Sequence, residues 1–206
     1  ALVRVGRRDL VADVVLAGLG ARPDTGWLEG AAVTRDPSGG VLVDGWGRSR
    51  KPGVLAVGDA AARWSGRAGR AVVTGHWTEA MQAPTALAPA LAQWLDGRLG
   101  WSQAPSGPAW DPVSYVFSDI GEHTVQVVGD AAVGEQVWRE DERGWTCFAC
   151  LGQSLVGVCG SGRPRDVVAA RRAMAAHPQG RPPVDRVALA DPGVPVARWF
   201  APVRGA

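Results

Sequence analysis

Gly53-Val54-Leu55-Ala56-Val57-Gly58-Asp59-Ala60-Ala61 is the stretch on which the reading of this sequence turns. Val54 to Val57 form a short apolar run of the kind found in a sheet covered on both faces, which predicts a buried strand ending at Gly58-Asp59. In open α/β sheets ligands bind at the carboxyl ends of strands, where the backbone leaves the sheet and opens a crevice. A glycine there admits close approach to the backbone, and Asp59 can accept hydrogen bonds from sugar-type hydroxyls. Taken alone, the same residues also describe an ordinary strand end whose aspartate caps the next helix.

Upstream, residues 2–9 read as a charged hairpin or strand edge. Leu10 to Leu19 read as a second buried strand, ending at Gly18-Leu19-Gly20 before a turn at Pro23-Asp24. Asp36 to Gly40 is a turn, Val41 to Asp44 a short alternating strand, and Ser49-Arg50-Lys51-Pro52 another turn. Downstream, Gly66 to Gly75 is a loop rich in Gly and Arg that leads to His76-Trp77. From Thr78 the pattern is helical, with Ala80, Met81, Leu87, Leu91 and Leu95 mostly at helix spacing and Pro84 and Pro89 interrupting it. Gly97 to Pro112, rich in Gly, Pro and Ser, marks a domain boundary between residues 1–100 and 108–206. Beyond it, Ser114–Phe117, Thr124–Val128, Glu135–Glu140, Trp145–Leu151 and Leu155–Cys159 read as successive strands, and Asp166–Ala176 as a helix ended by Pro178. That order is an α+β layout. From Gly180 onward small residues and Pro dominate without periodicity, which predicts an extended surface tail with Trp199-Phe200 as an anchor.

The 206 residues suffice for one large or two small domains, and 46% hydrophobic with 20% charged residues describes a folded chain rather than a disordered one. Twenty-two Lys and Arg against 20 Asp and Glu leave a net charge of only +2, so overall charge argues for no nucleic-acid partner. No apolar run reaches the roughly 20 residues of a membrane helix and no signal peptide is visible, so the expectation is a cytoplasmic protein without a membrane segment. Of ten tryptophans, against three Phe and one Tyr, several should occupy half-buried or interface positions, with core packing the better account for most. Cys147 and Cys150 have C-x-x-C spacing, but on a strand residues three apart face opposite ways, so they read as small apolar strand residues rather than a redox or metal pair.

Two motifs carry a resemblance. Val54 to Asp59 is similar to the second flavin-binding motif of the FAD-dependent pyridine nucleotide-disulfide oxidoreductase superfamily. Ala12-Asp13-Val14-Val15-Leu16-Ala17-Gly18-Leu19-Gly20-Ala21-Arg22-Pro23-Asp24-Thr25 resembles the segment that closes the pyridine nucleotide domain in the same proteins. His76-Trp77 followed by a helix, then Tyr115-Val116-Phe117-Ser118-Asp119, resembles the ferredoxin and rubredoxin reductase branch. The resemblance implies an α/β region, part of a Rossmann-like FAD- and NAD(P)-binding unit, followed by a small α+β C-terminal reductase domain. It also implies that NAD(P)H delivers a hydride to FAD, which passes single electrons to an iron-sulfur partner, a ferredoxin or rubredoxin. By the same resemblance Gly58 and Asp59 would meet the flavin ribityl chain, His76 and Trp77 the ring edge, Phe117 the ring face, and Gly18 the nicotinamide end. For Gly18 the alternative, a glycine at a strand exit, stands equally. The sequence departs from these relatives at Glu79, where they carry Asn, and at Ala83-Pro84, where they carry Gln-Gly. A glutamate there places negative charge where a reduced, anionic flavin is disfavoured.

Neither of the G-x-G-x-x-G turns with which the superfamily binds its dinucleotides is found, since Ala21-Arg22-Pro23 cannot open a helix after Gly20. The expectation is the C-terminal part of a protein about twice as long. A second reading is a non-catalytic remnant or interaction module that has lost flavin binding. Ser-His-Asp hydrolysis fares worse, because the residues around Ser154 do not form a nucleophile elbow.

Overall fold

A computed structural model of the chain describes residues 1–196, so the predicted anchor at Trp199-Phe200 lies outside the described residues. Strands β1 (Leu2–Val5) and β2 (Arg8–Val11) pair as an exposed antiparallel hairpin, with Arg4 and Asp9 bonded across it at 2.7 Å. Residues 12–25 form no helix or strand, and Leu16 and Leu19 are 92% and 94% exposed. The buried strand predicted over Leu10–Leu19 is therefore absent beyond Val11. An apolar run becomes a strand only where neighbours complete its ladder and cover it, and this segment has neither.

The predicted strand over Val54–Val57 is absent for the same reason: Leu55 makes one isolated bridge to Arg48, and none of the four is buried. Gly58–Ala60 form a 3-10 turn instead, and the strand follows the aspartate. In a three-stranded sheet, β3 (Val41–Val43) runs parallel to β4 (Ala61–Ser65), and β5 (Arg70–Val72) pairs antiparallel to β4. The central strand β4 thus lies where the sequence predicts no element, and β5 falls inside the Gly66–Gly75 stretch read as a loop. Alanine has low strand propensity, but Ala62, with no exposed surface, sits where the backbone of Gly40 comes so close that a Cβ there would lie 2.9 Å away. Small size, not propensity, selects Ala62.

Helix α1 (Trp77–Leu95) is one uninterrupted run that buries Ala83, Leu87 and Ala90, a stripe at helical spacing. Pro84 and Pro89 lie on its exposed side, where the carbonyls of Ala80 and Thr85 that lose their helical partners can bond to water. Met81 and Leu95, read as members of the apolar face, are 66% and 77% exposed. The C-terminal end of α1 is tied to the linker by Arg48. Its guanidinium centre lies 5.4 Å and 5.1 Å from the rings of Trp46 and Trp94, and it donates to the carbonyls of Trp101 and Gln103 at 2.7 and 2.8 Å. Several of the abundant tryptophans are thus half-buried at a junction between segments.

Five antiparallel strands follow: β6 (Tyr115–Ile120), β7 (His123–Gly129), β8 (Glu135–Asp141), β9 (Gly144–Leu151) and β10 (Ser154–Ser161), in the order β6-β7-β10-β9-β8. Helix α2 (Pro164–Ala176) buries Val167, Ala170 and Met174 against Val128, Phe148, Leu155 and Val158 of the sheet. The segment from Gly180 to Val196 is not an extended surface tail. Pro183 bridges to Ser154, helix α3 (Arg186–Ala190) is capped by Asp185, and Leu189 and Val196 enter the same core. Arg139, 1% exposed, draws this segment in by donating to the carbonyls of Leu189 and Val194 at 3.0 and 2.8 Å and to that of Asp191. Cys150 points into this core, whereas Cys147 lies opposite Cys159 across the β9–β10 ladder. Burial pushes all three thiols above their ordinary pKa, which keeps them protonated and unreactive.

Candidate functional site

The site begins with the turn at Gly58. Its φ of +62° is a left-handed conformation, and a Cβ there would lie 3.3 Å from that of Ala80, so glycine lets the Gly58–Ala60 turn rest on the first turn of α1. Asp59 stands at this turn, exposed, and among the described residues nothing pairs with its carboxylate. It leads into β4 rather than closing a preceding strand, so the predicted crevice at a strand's carboxyl end is not formed.

His76 is the N-cap of α1: Nδ1 accepts from the backbone N–H of Thr78 at 3.2 Å and meets its hydroxyl at 2.7 Å. That leaves the proton on Nε2, which donates to the carbonyl of Phe117 at 3.0 Å. The 3.3 Å approach of the Phe117 N–H to the same nitrogen is then not a bond. Rings follow the backbone contact: Phe117 meets His76 at 5.2 Å and Trp77 at 5.7 Å between centroids, both edge-on. Trp77 is still 58% exposed, so the cluster presents an aromatic surface to whatever lies above it. The turn at Gly58-Asp59, His76, Trp77 and Phe117 are thus brought to one end of α1. Gly18 is not joined to them: it lies on the exposed irregular segment with open space around its Cα.

Arg63 and Asp111, which sequence reading did not single out, supply the electrostatics around Glu79. Glu79, in the first turn of α1, accepts from the Thr74 hydroxyl and lies 3.5 Å from Nε of Arg63, with side chains 12% and 5% exposed. The two pair in charge without an aligned hydrogen bond, since Nε has no acceptor. Arg63 also donates to Asp111 at 2.9 Å and lies over the Trp110 ring at 5.0 Å. Asp111 in turn accepts from the backbone N–H of Arg67. Burial pushes the Asp111 pKa up, but bonds from Ser65, the Arg67 amide and Arg63, with the charge of Arg63, bring it below the ordinary carboxylate value. The negative charge that Glu79 introduces is therefore offset by a buried arginine. Sequence carried no signal for this, because Arg63 and Asp111 are 48 residues apart.

An exposed carboxylate free to accept hydroxyl bonds, beside a glycine turn and an open aromatic surface, fits the ribityl chain and ring edge of FAD in donor and acceptor chemistry. Among the described residues no group of His, Cys, Asp and Glu could hold a metal ion, and no helix is long and apolar enough to cross a membrane.

Comparison with known proteins bears on both halves. Residues 3–90 match the pyridine nucleotide-disulphide oxidoreductase family and residues 115–200 the reductase C-terminal family. The ferredoxin–NAD(+) reductase component of the p-cumate 2,3-dioxygenase system of Pseudomonas putida is 31% identical over 188 residues, 90% of this chain and 42% of that protein. The corresponding component of the anthranilate 1,2-dioxygenase system of Burkholderia cepacia is 30% identical over 198 residues, 94% of this chain and 44% of that protein. Among solved structures, the crystal structure of Fdr9 superposes with a TM-score of 0.76 at 34% identity, covering 92% of this chain and 46% of that one. The covalent putidaredoxin reductase–putidaredoxin complex superposes with a TM-score of 0.74, covering 92% and 42%, and at 22% identity shows the fold alone. The fold is similar to part of the FAD- and NAD-binding reductase fold followed by its C-terminal domain. Over residues 3–90 the chain is similar to the pyridine nucleotide-disulphide oxidoreductase family, and it spans less than half the length of the curated relatives it matches.

Proposed function

We propose that the intact protein transfers electrons from NAD(P)H through FAD to a small iron-sulfur protein, a ferredoxin or rubredoxin, at a cytoplasmic location. When bound, FAD supplies the hydride acceptor and the one-electron donor in a single group. On this chain Asp59 accepts bonds from the ribityl hydroxyls, and Gly58 keeps the turn close to α1. His76 and Trp77 flank the ring edge, Phe117 covers a ring face, and Gly18 approaches the nicotinamide end. Residues 1–100 act as the nucleotide-binding portion and 108–206 as the domain facing the partner. The observation that carries this reading is the hydrogen bond from His76 to the Phe117 carbonyl, which joins motifs 41 residues apart into one aromatic surface beside Asp59.

The experiment is a visible spectrum of the full-length protein and of its Asp59→Ala variant. A yellow protein that bleaches with NADH, and a variant that loses flavin about tenfold or more readily, is the expected outcome; that loss corresponds to one or two charged-acceptor bonds. A second reading, an interaction module without flavin, draws on Glu79, Ala83 and Pro84. It would be supported by a colourless protein that still binds a ferredoxin. The buried Arg63 beside Glu79 weighs against it, since charge at that position is already balanced.

A further inference from the structure

A cavity of about 330 Å³ lies between the β4–β5 hairpin and the C-terminal sheet. That is the lower end of the range for small-molecule sites, about 300–1,000 Å³. Its apolar wall comes from Val113, Val116, Val133, Leu151, Val156 and Met174. Its polar wall is cationic: Arg63, Arg67, Arg70 and Arg181 line it against a single carboxylate, Asp130. Arg63 is committed to Asp111 and Glu79. Arg67 is likewise committed, to carbonyls of Asp111, Met174 and His177. Arg70 faces Asp130 at 3.3 Å with both side chains about half exposed, a pair that water screens. The guanidinium of Arg181 has no partner among the described residues. With Asp111 and Glu79 counted against Arg63 and Arg67, and Asp130 against Arg70, the mouth keeps one net positive charge above an apolar interior.

We propose that this cavity binds a small organic monoanion, its apolar body against Val113, Val133 and Leu151 and its carboxylate at Arg181 and Arg70. One uncompensated cation selects one negative charge, and the mixed walls select an amphipathic molecule over inorganic phosphate. Such a ligand would bridge the hairpin that carries Arg63 and the sheet that carries Phe117, and so stabilise the chain on binding. The inference uses neither Asp59 nor any flavin, so it stands or falls apart from the reading above.

The test is calorimetric titration of the full-length protein with benzoate, and with benzamide as its neutral counterpart. Benzoate should saturate one site with a Kd on the order of 1 mM, typical for so few atoms, and benzamide should bind at least about fivefold more weakly. Arg181→Ala should weaken benzoate about fivefold and leave the melting temperature of the free chain unchanged. Val133→Trp, at the 40% exposed rim, should block binding by filling the opening. Absence of saturation well above that concentration, equal binding of benzamide, or benzoate binding indifferent to both substitutions would each overturn the proposal.

Discussion

Arg63 shows how much one side chain can decide. It is buried between two carboxylates, one on α1 and one in the linker, and removing it leaves both charges without compensation. Arg63→Met is expected to destabilise the chain by about 3–5 kcal/mol, and adding Glu79→Gln should recover part of that, because a broken buried pair costs more than an absent one. Urea unfolding of the single and double variants measures the difference. Asp111 adds a pH dependence of definite sign. Its folded pKa lies below its unfolded one, so its contribution is fully present above about pH 4 and is lost as pH falls through the lower folded value. Asp111→Asn should lower stability at pH 7 and flatten the acid limb of the stability profile; an acid limb as steep as that of the parent would show that other carboxylates dominate it. His76→Asn separates two roles. An asparagine keeps the helix cap but cannot reach the Phe117 carbonyl in the same way, so the loss should be about 1 kcal/mol, against about 2 for His76→Ala.

At the scale of elements, α1 and the β10–α2 junction show opposite uses of special residues. Pro84 and Pro89 leave α1 unbroken because their lost hydrogen bonds fall on the solvent side. Each is still unfavourable relative to alanine in a helix interior, by up to about 3 kcal/mol, less about 0.4–1 kcal/mol for the stiffness it lends the unfolded chain. Pro89→Ala should therefore raise stability by about 1–2 kcal/mol, visible as a higher melting temperature. Gly162 works the other way. It has a φ of +74°, and a Cβ there would lie 2.0 Å from the carbonyl oxygen of Arg143. Neither can yield without opening the turn between β10 and α2, so Gly162→Ala should lower stability by more than the roughly 1–2 kcal/mol of a strained conformation alone.

For the whole molecule, the decisive contacts join segments far apart in sequence. Arg67 holds the β4–β5 turn to the linker through the Asp111 carbonyl and to the end of α2 through the carbonyls of Met174 and His177, the last 110 residues away. Arg67→Ala should cost about 1.5–3 kcal/mol and raise hydrogen exchange in residues 66–72 before the C-terminal sheet is affected. The five C-terminal strands and α2 were legible because they complete their own ladder with near neighbours, so local alternation, turn glycines and the helix period reach their answer inside one segment. The Gly58-Asp59, His76-Trp77 and Phe117 motifs were legible as patterns for the same local reason. The runs at Leu10–Leu19 and Val54–Val57 misled, because an apolar run states a need for burial and not what satisfies it; strand formation waits for partners along both edges. β4, which opens on two alanines, and α3, too short to show a period, became ordered only through what packs on them: Gly40 against Ala62, and Arg139 gathering the carbonyls at the end of α3. Sequence alone therefore determined the family resemblance, the order of the self-contained elements and the positions of the aromatic motifs. Only the tertiary structure decided which apolar runs become strands, that Arg63 offsets Glu79, and that His76 reaches Phe117, because charge compensation and burial depend on distance in space.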